Sequence, residues 1–138
     1  MTVPDFLDTN VFVYAYDPSD ARKQRMAQDL IRQAVAGDLM TSVQVFAELA
    51  ATLLHKASAT VRTRDVVAVL DSLSPIRVVT PDLPMVQRAV EARSKYGIHF
   101  YDGMIVAAAE RAGCVRILTE DLNSGQTYFG VKAENPFR

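Results

Sequence analysis

Val3-Pro4-Asp5-Phe6-Leu7-Asp8-Thr9-Asn10 is followed directly by the apolar Val11-Phe12-Val13-Tyr14. A short hydrophobic run therefore ends on a carboxylate, a hydroxyl and an amide. The run is too short for a helix and carries strand-forming residues, so Val3 to Leu7 reads as a buried strand. Asp8 then stands at its carboxyl end, where an open α/β sheet presents its ligand crevice. Burying a charge there costs several kcal/mol unless a cation or hydrogen-bond donors meet it. Asp is also a favoured N-cap, and a helix starts near Asn10. On this stretch alone Asp8 reads equally as a ligand and as a cap.

The whole-chain figures narrow the class. With 138 residues, 49% of them apolar and 22% charged, the sequence describes one ordinary globular domain spanning 1–138. A net charge of −1 gives no global basic field, although 15 Lys and Arg suffice for a local basic face. The single Cys114 excludes an internal disulfide and fits a reducing compartment. The N-terminus lacks a basic segment followed by an apolar one, and no apolar run approaches the ~20 residues of a membrane span. The expectation is a cytoplasmic protein without a signal peptide and without a membrane partner.

Helical and strand-like stretches alternate along the chain. Asp17-Pro18-Ser19-Asp20 is turn chemistry, with Ser19 as the expected cap of a helix whose inner positions are Met26, Leu30, Ile31 and Val35. Gly37 stops it. Arg22, Lys23, Arg25 and Arg32 on that helix read as a solvated face before a phosphate-tracking one. Leu39-Met40 is a short strand candidate, and Thr41 or Ser42 caps a helix over Val43 to Lys56. Val45, Phe46, Leu49 and Leu53 share its apolar face, with Glu48 at the margin and His55 farther along the same side.

Ala59 to Leu73 reads as a helix with Val66, Val67, Leu70 and Leu73 inward; Arg62 and Arg64 oppose the macrodipole in its first turn. Pro75 ends it, and Ile76 to Val79 is a strand. Asp82 to Tyr96 is a helix, with Pro84 in the first turn and Gly97 past the end. Asp102 is expected to open the apolar helix that Gly113 closes. Cys114 to Leu118 is a strand, and a polar loop over Leu122 to Gln126 leads to a last short strand near Val131. The alternation predicts an α/β fold, a central parallel sheet flanked by helices.

Two strands end alike, Leu7-Asp8-Thr9 and Leu118-Thr119-Glu120-Asp121. In a parallel sheet both ends lie on one edge. Asp102 at a helix start and Glu48 on the second turn of another helix are placed to face the same edge. Four converging carboxylates would repel one another and be driven toward protonation. Hard divalent cations relieve this, and Mg2+ or Mn2+ suits an all-oxygen set. Without a Cys or His cluster, zinc fits poorly. Thr9, Asn10, Thr119 and Asn123 are suited to orient such ligands.

With these residues in place, the sequence resembles the PIN-domain ribonucleases of the VapC type, the toxins of toxin–antitoxin pairs. The resemblance rests on Phe6-Leu7-Asp8-Thr9-Asn10, on Val45-Phe46-Ala47-Glu48-Leu49, on Tyr101-Asp102-Gly103-Met104-Ile105-Val106-Ala107-Ala108-Ala109 and on Ile117-Leu118-Thr119-Glu120-Asp121-Leu122. These stretches come in family order and span nearly the whole chain. The resemblance implies that Asp8, Glu48, Asp102 and Asp121 form an acidic catalytic site holding Mg2+ or Mn2+. Asp121 matches the last acidic position, and Glu120 beside it is the lesser match. It further implies metal-dependent hydrolysis of RNA, a small cognate antitoxin protein and a homodimer. Glu48 would hold metal or position the attacking water, and the sequence leaves both open. His99 reads as a packing or hinge residue rather than an added base. Two other readings stand beside this one. A PIN-like fold can serve association alone. A phosphatase using Asp8 as nucleophile would want a second aspartate where Asn10 stands.

Overall fold

The hydrophobic run before Asp8 is the strand β1 (Asp5–Leu7), near the middle of the sheet in a computed structural model that describes residues 3–55 and 62–138. It is shorter than its apolar run: Pro4 has no N–H for a ladder and Val3 is exposed. Phe6 and Leu7 point to opposite faces of the sheet, yet both are fully buried. Helices covering both faces explain that, and also why the strand reads as an unbroken apolar run. β1 pairs in parallel with β2 (Leu39–Ser42) on one side and β4 (Arg116–Leu118) on the other. With β3 (Arg77–Val79), β5 (Thr127–Tyr128) and β6 (Val131–Glu134), the sheet order is β3-β2-β1-β4-β6-β5. The expected parallel sheet is therefore parallel over five strands, with the two-residue β5 antiparallel at one edge.

Six helices make the crossovers: α1 (Thr9–Ala15), α2 (Ala21–Val35), α3 (Val43–His55), α4 (Thr63–Ser72), α5 (Leu83–Tyr96) and α6 (Phe100–Arg111). The chain steps outward from β1 to β2 to β3, then returns through α5 and α6 to place β4 on the other side of β1. The strand order thus reverses between β1 and β4, and the crevice beyond their carboxyl ends is where such sheets bind ligands. Asp8 leaves β1 at that crevice and Thr119 leaves β4 there.

Several local expectations shift. Asp20, not Ser19, caps α2, accepting from the Lys23 amide at 3.0 Å, while the Ser19 amide donates to Asp17. Val35 is exposed at the last position of α2, and Ala27 and Ala34 are its buried residues. Ser42 does double duty, ending β2 and accepting from the Val45 amide at 3.2 Å. The expected helix from Ala59 begins at Thr63; residues 59–61, like Lys56, lie outside the described residues. Val67 is 59% exposed, because Val66 and Leu73 sit seven residues apart on the buried stripe and Val67 lies 100° round from Val66. Asp65 in the same first turn accepts from the Arg62 amide and offsets the two arginines there. Asp82, Pro84 and left-handed Gly97 bound α5 as their residue types require.

α6 is buried from Gly103 to Ala109 and packs closely on α5. A Cβ placed on Gly103 would lie 2.7 Å from the Ala89 carbonyl oxygen, so the glycine sets the distance between the two backbones. Asp102 precedes it and inherits its position. Gly103→Ala should therefore destabilise the chain by about 1–3 kcal/mol through overpacking. Urea unfolding checks this, and an unchanged midpoint would contradict the close approach.

Candidate metal centre

Asp8 is both a cap and a member of an acidic cluster. Its Oδ1 accepts from the Thr9 amide at 2.7 Å, which starts α1, and its Oδ2 accepts from the Thr119 hydroxyl at 2.7 Å. The side chain is 2% exposed. Burial pushes its carboxyl up to about 7 against the lowering effect of those two bonds, and the charges of Asp121 and Asp102 push the same way. The half-buried Asp102 is also raised, first by burial, then by Asp121 and Glu48, with His99 opposing. Asp121 is exposed and follows the end of β4. Asp8, Asp102 and Asp121 each bring one carboxylate oxygen within 4.8 Å of the other two.

Thr119, fully buried, joins the two strand ends. Its hydroxyl proton goes to Asp8, and its oxygen accepts from the Asp121 amide at 3.0 Å and from Asn10 Nδ2 at 3.3 Å. Asn10 Oδ1 in turn accepts from the Glu120 amide at 3.3 Å. A four-carboxylate convergence was the expectation; Glu48 lies just outside the group of three. Its Oε2 accepts from the Thr9 hydroxyl at 2.6 Å and its Oε1 from Gln44 at 3.0 Å. It remains close enough to Asp102 to raise that carboxyl. Glu48, Thr9 and Asp121 line one wall region of a groove of about 660 Å³, shared with Tyr14 and Thr52. Asn123 is turned elsewhere, its amide donating to Gln126 at 3.0 Å.

Several contacts are not legible in the pattern. Glu120 accepts from the Tyr14 hydroxyl at 2.5 Å and from Lys23 Nζ at 2.6 Å, while that ammonium lies 4.7 Å from the centre of the Tyr14 ring. Lys23 is thus a partner of the β4 end and not part of a solvated face. Arg22 stays exposed, as a solvated face requires, and donates to the Phe137 carbonyl at 2.5 Å. His99 does not fill a packing position: it is exposed and caps α6, its Nδ1 accepting from the Tyr101 amide at 3.2 Å. α6 accordingly starts before Asp102, which sits in its first turn. An acidic residue at Ncap-plus-three after a histidine is not a common cap signature, which hid the boundary.

The donor set fits a hard divalent cation. It is all carboxylate oxygen, two of its three members are held toward the neutral form by burial and repulsion, and a cation would relieve both. Among the described residues no other group of carboxylates, histidines or cysteines is gathered in this way.

Comparison with known proteins bears on the family and the fold. The family model described as PIN domain matches residues 6–129. The fold is similar to a structure titled as FitAB bound to a DNA fragment, at 20% identity and TM-score 0.72, covering 96% of this chain and 95% of that one. It is similar to VapC20 of Mycobacterium tuberculosis, titled a sarcin–ricin-loop-cleaving toxin, at 21% identity and TM-score 0.67 over 92% and 98% of the two chains. A toxin–antitoxin complex from Klebsiella pneumoniae is similar at 14% identity and TM-score 0.68 over 96% and 97%. No curated protein matches the sequence.

The raised carboxyl at Asp8 has a stability consequence of definite sign. The folded chain keeps a proton there that the unfolded chain, with its ordinary carboxyl at 3.8, has released. Stability therefore falls as pH rises from about 4 to about 7 and is flat, for this group, above that. The divalent-free protein should melt at a lower temperature near pH 8 than near pH 5. Asp8→Asn should flatten that slope and melt higher than the native chain near pH 8. A native chain whose melting temperature rises over the same interval would contradict this.

Proposed function

The chain belongs to the PIN-domain family, and on that premise we propose that residues 1–138 form a single-domain, Mg2+- or Mn2+-dependent endoribonuclease acting as the toxin of a toxin–antitoxin pair. The observation that carries this reading is the gathering of Asp8, Asp102 and Asp121 at the strand-order switch point. Asp8, Asp102 and Asp121 would hold the cation. When bound, such an ion polarises a phosphate oxygen and lowers the pKa of a coordinated water, which supplies hydrolysis of a phosphodiester bond at neutral pH.

The chain's own residues prepare the site. Thr119 fixes the Asp8 carboxylate through its hydroxyl and fixes the Asp121 backbone through its oxygen, so one side chain sets the spacing of two ligands. Thr9 and Gln44 hold Glu48 at the groove wall, a position from which it can orient a water or complete the ligand set. Asn10 ties the start of α1 to the residue after Thr119. Lys23 and Tyr14 occupy the Glu120 carboxylate, which lines the same groove as Glu48 and Asp121. Unpaired RNA is the favoured substrate because its phosphates and bases are accessible.

The reading extends to partners. A nuclease with an open acidic groove needs an inhibitor, and an Arg or Lys from a small antitoxin would pair with these carboxylates. A homodimer and a cytoplasmic location belong to the same proposal. No helix among the described residues is long and apolar enough to cross a membrane.

Three variants test the assignment of roles. Thr119→Val, isosteric but without the hydroxyl, should weaken Mn2+ binding by about 10–100-fold. Asp121→Asn should abolish Mn2+-dependent cleavage of single-stranded RNA, whereas Glu120→Gln should retain most of it. Gel assays with and without chelator read both. Equal losses in equally stable Asp121→Asn and Glu120→Gln proteins would reject the choice of Asp121.

A further inference from the structure

α6 buries nearly everything it carries except its first turn, where two rings lie open beside Asp102. Tyr101 is 57% exposed, and its hydroxyl has no hydrogen-bond partner among the described residues. His99 is exposed as well, and the two rings are stacked, 5.8 Å between centres and 27° between planes. Each ring has one further local contact. His99 Nδ1 is occupied by the Tyr101 amide, and the Phe100 ring meets Tyr101 edge-on at 5.2 Å. His99 also lines a shallow cavity of about 390 Å³ with Arg93, Gly97 and Ile98, and Arg93 makes no ion pair among the described residues.

Capping α6 requires only a short side-chain acceptor, and the core requires nothing of Tyr101. Flat, solvent-facing rings beside a guanidinium that makes no ion pair among the described residues suit a flat π-system attached to an anion. We propose that His99 and Tyr101 form a stacking platform for one unpaired nucleobase of the RNA, with Arg93 meeting the adjacent backbone phosphate. This rests on the RNA-cleaving reading and adds to it a subsite flanking Asp102. Base stacking on such rings is tolerant of sequence and is lost when the ring is lost.

The test uses the full chain and a single-stranded oligoribonucleotide carrying a fluorescent purine analogue. Binding is read in chelator, where no cleavage occurs, and KM and kcat are then read in Mn2+. Tyr101→Leu and His99→Asn, the latter keeping a capping acceptor, should each weaken RNA binding by about tenfold, a size expected for one stacked base. The loss should fall on KM, with Mn2+ affinity as in the native chain, and Tyr101→Phe should bind like the native protein. A scan of single abasic positions should find one that costs the native chain the same factor and costs Tyr101→Leu nothing further. Native binding by both ring variants overturns the platform while leaving the nuclease reading intact. So does a loss confined to a protein partner. If the folded, Mn2+-binding native chain neither binds nor cleaves single-stranded RNA, the platform falls together with the function it rests on.

Discussion

A carboxylate held almost out of water at the end of a central strand is the constraint to which the surrounding residues answer. Asp8 has two donors, the Thr9 amide and the Thr119 hydroxyl, and both favour its charged form. Burial outweighs them, and two neighbouring carboxylates add to the imbalance. The folded chain therefore carries an arrangement worth a few kcal/mol of instability at neutral pH, on the scale of 1.36 kcal/mol per pKa unit. Natural proteins keep such costs where activity needs them. A divalent cation is the simplest species that removes the cost without moving any residue.

Thr119 shows how the fold concentrates this in few atoms. A threonine hydroxyl has one proton and two acceptor sites. Here the proton is given to Asp8, and the oxygen receives the Asp121 amide and the Asn10 side chain. The topology makes that possible, because α5 and α6 carry the chain back across the sheet and set β4 directly beside β1. The same return delivers Asp102 on the first turn of α6, at a height fixed by Gly103 against Ala89. Two strand ends and one helix start meet at a single point for reasons of chain path, and local sequence at any one of them does not reveal it.

What was legible in the sequence follows from this division. The alternation of elements could be read because each strand is a short apolar run and each helix has a stripe, and the ends of α5 carry unambiguous chemistry in Asp82, Pro84 and Gly97. The acidic residues could be singled out because they stand where apolar runs stop. Contacts between distant residues could not be read. Lys23 reaches Glu120 across 97 positions, and nothing in a basic row on α2 announces a partner after β4. Ser19 and Asp20 are both good caps, and geometry alone chose the second. β5 has two residues directly after a polar loop, too few to leave a period. Glu48 reads as lying at the margin of the apolar stripe of α3, but the Thr9 hydroxyl that holds it beside the three-carboxylate group lies on another helix.

The central claim is that Asp8, Asp102 and Asp121 together hold a divalent cation. Diffraction from crystals grown with Mn2+, measured for anomalous scattering, tests it most directly. The account predicts a strong anomalous peak within ligand distance of an oxygen from each of the three carboxylates, absent from crystals grown in chelator. Saturating Mn2+ that leaves these three side chains without a peak, or that gathers at other residues instead, would contradict it.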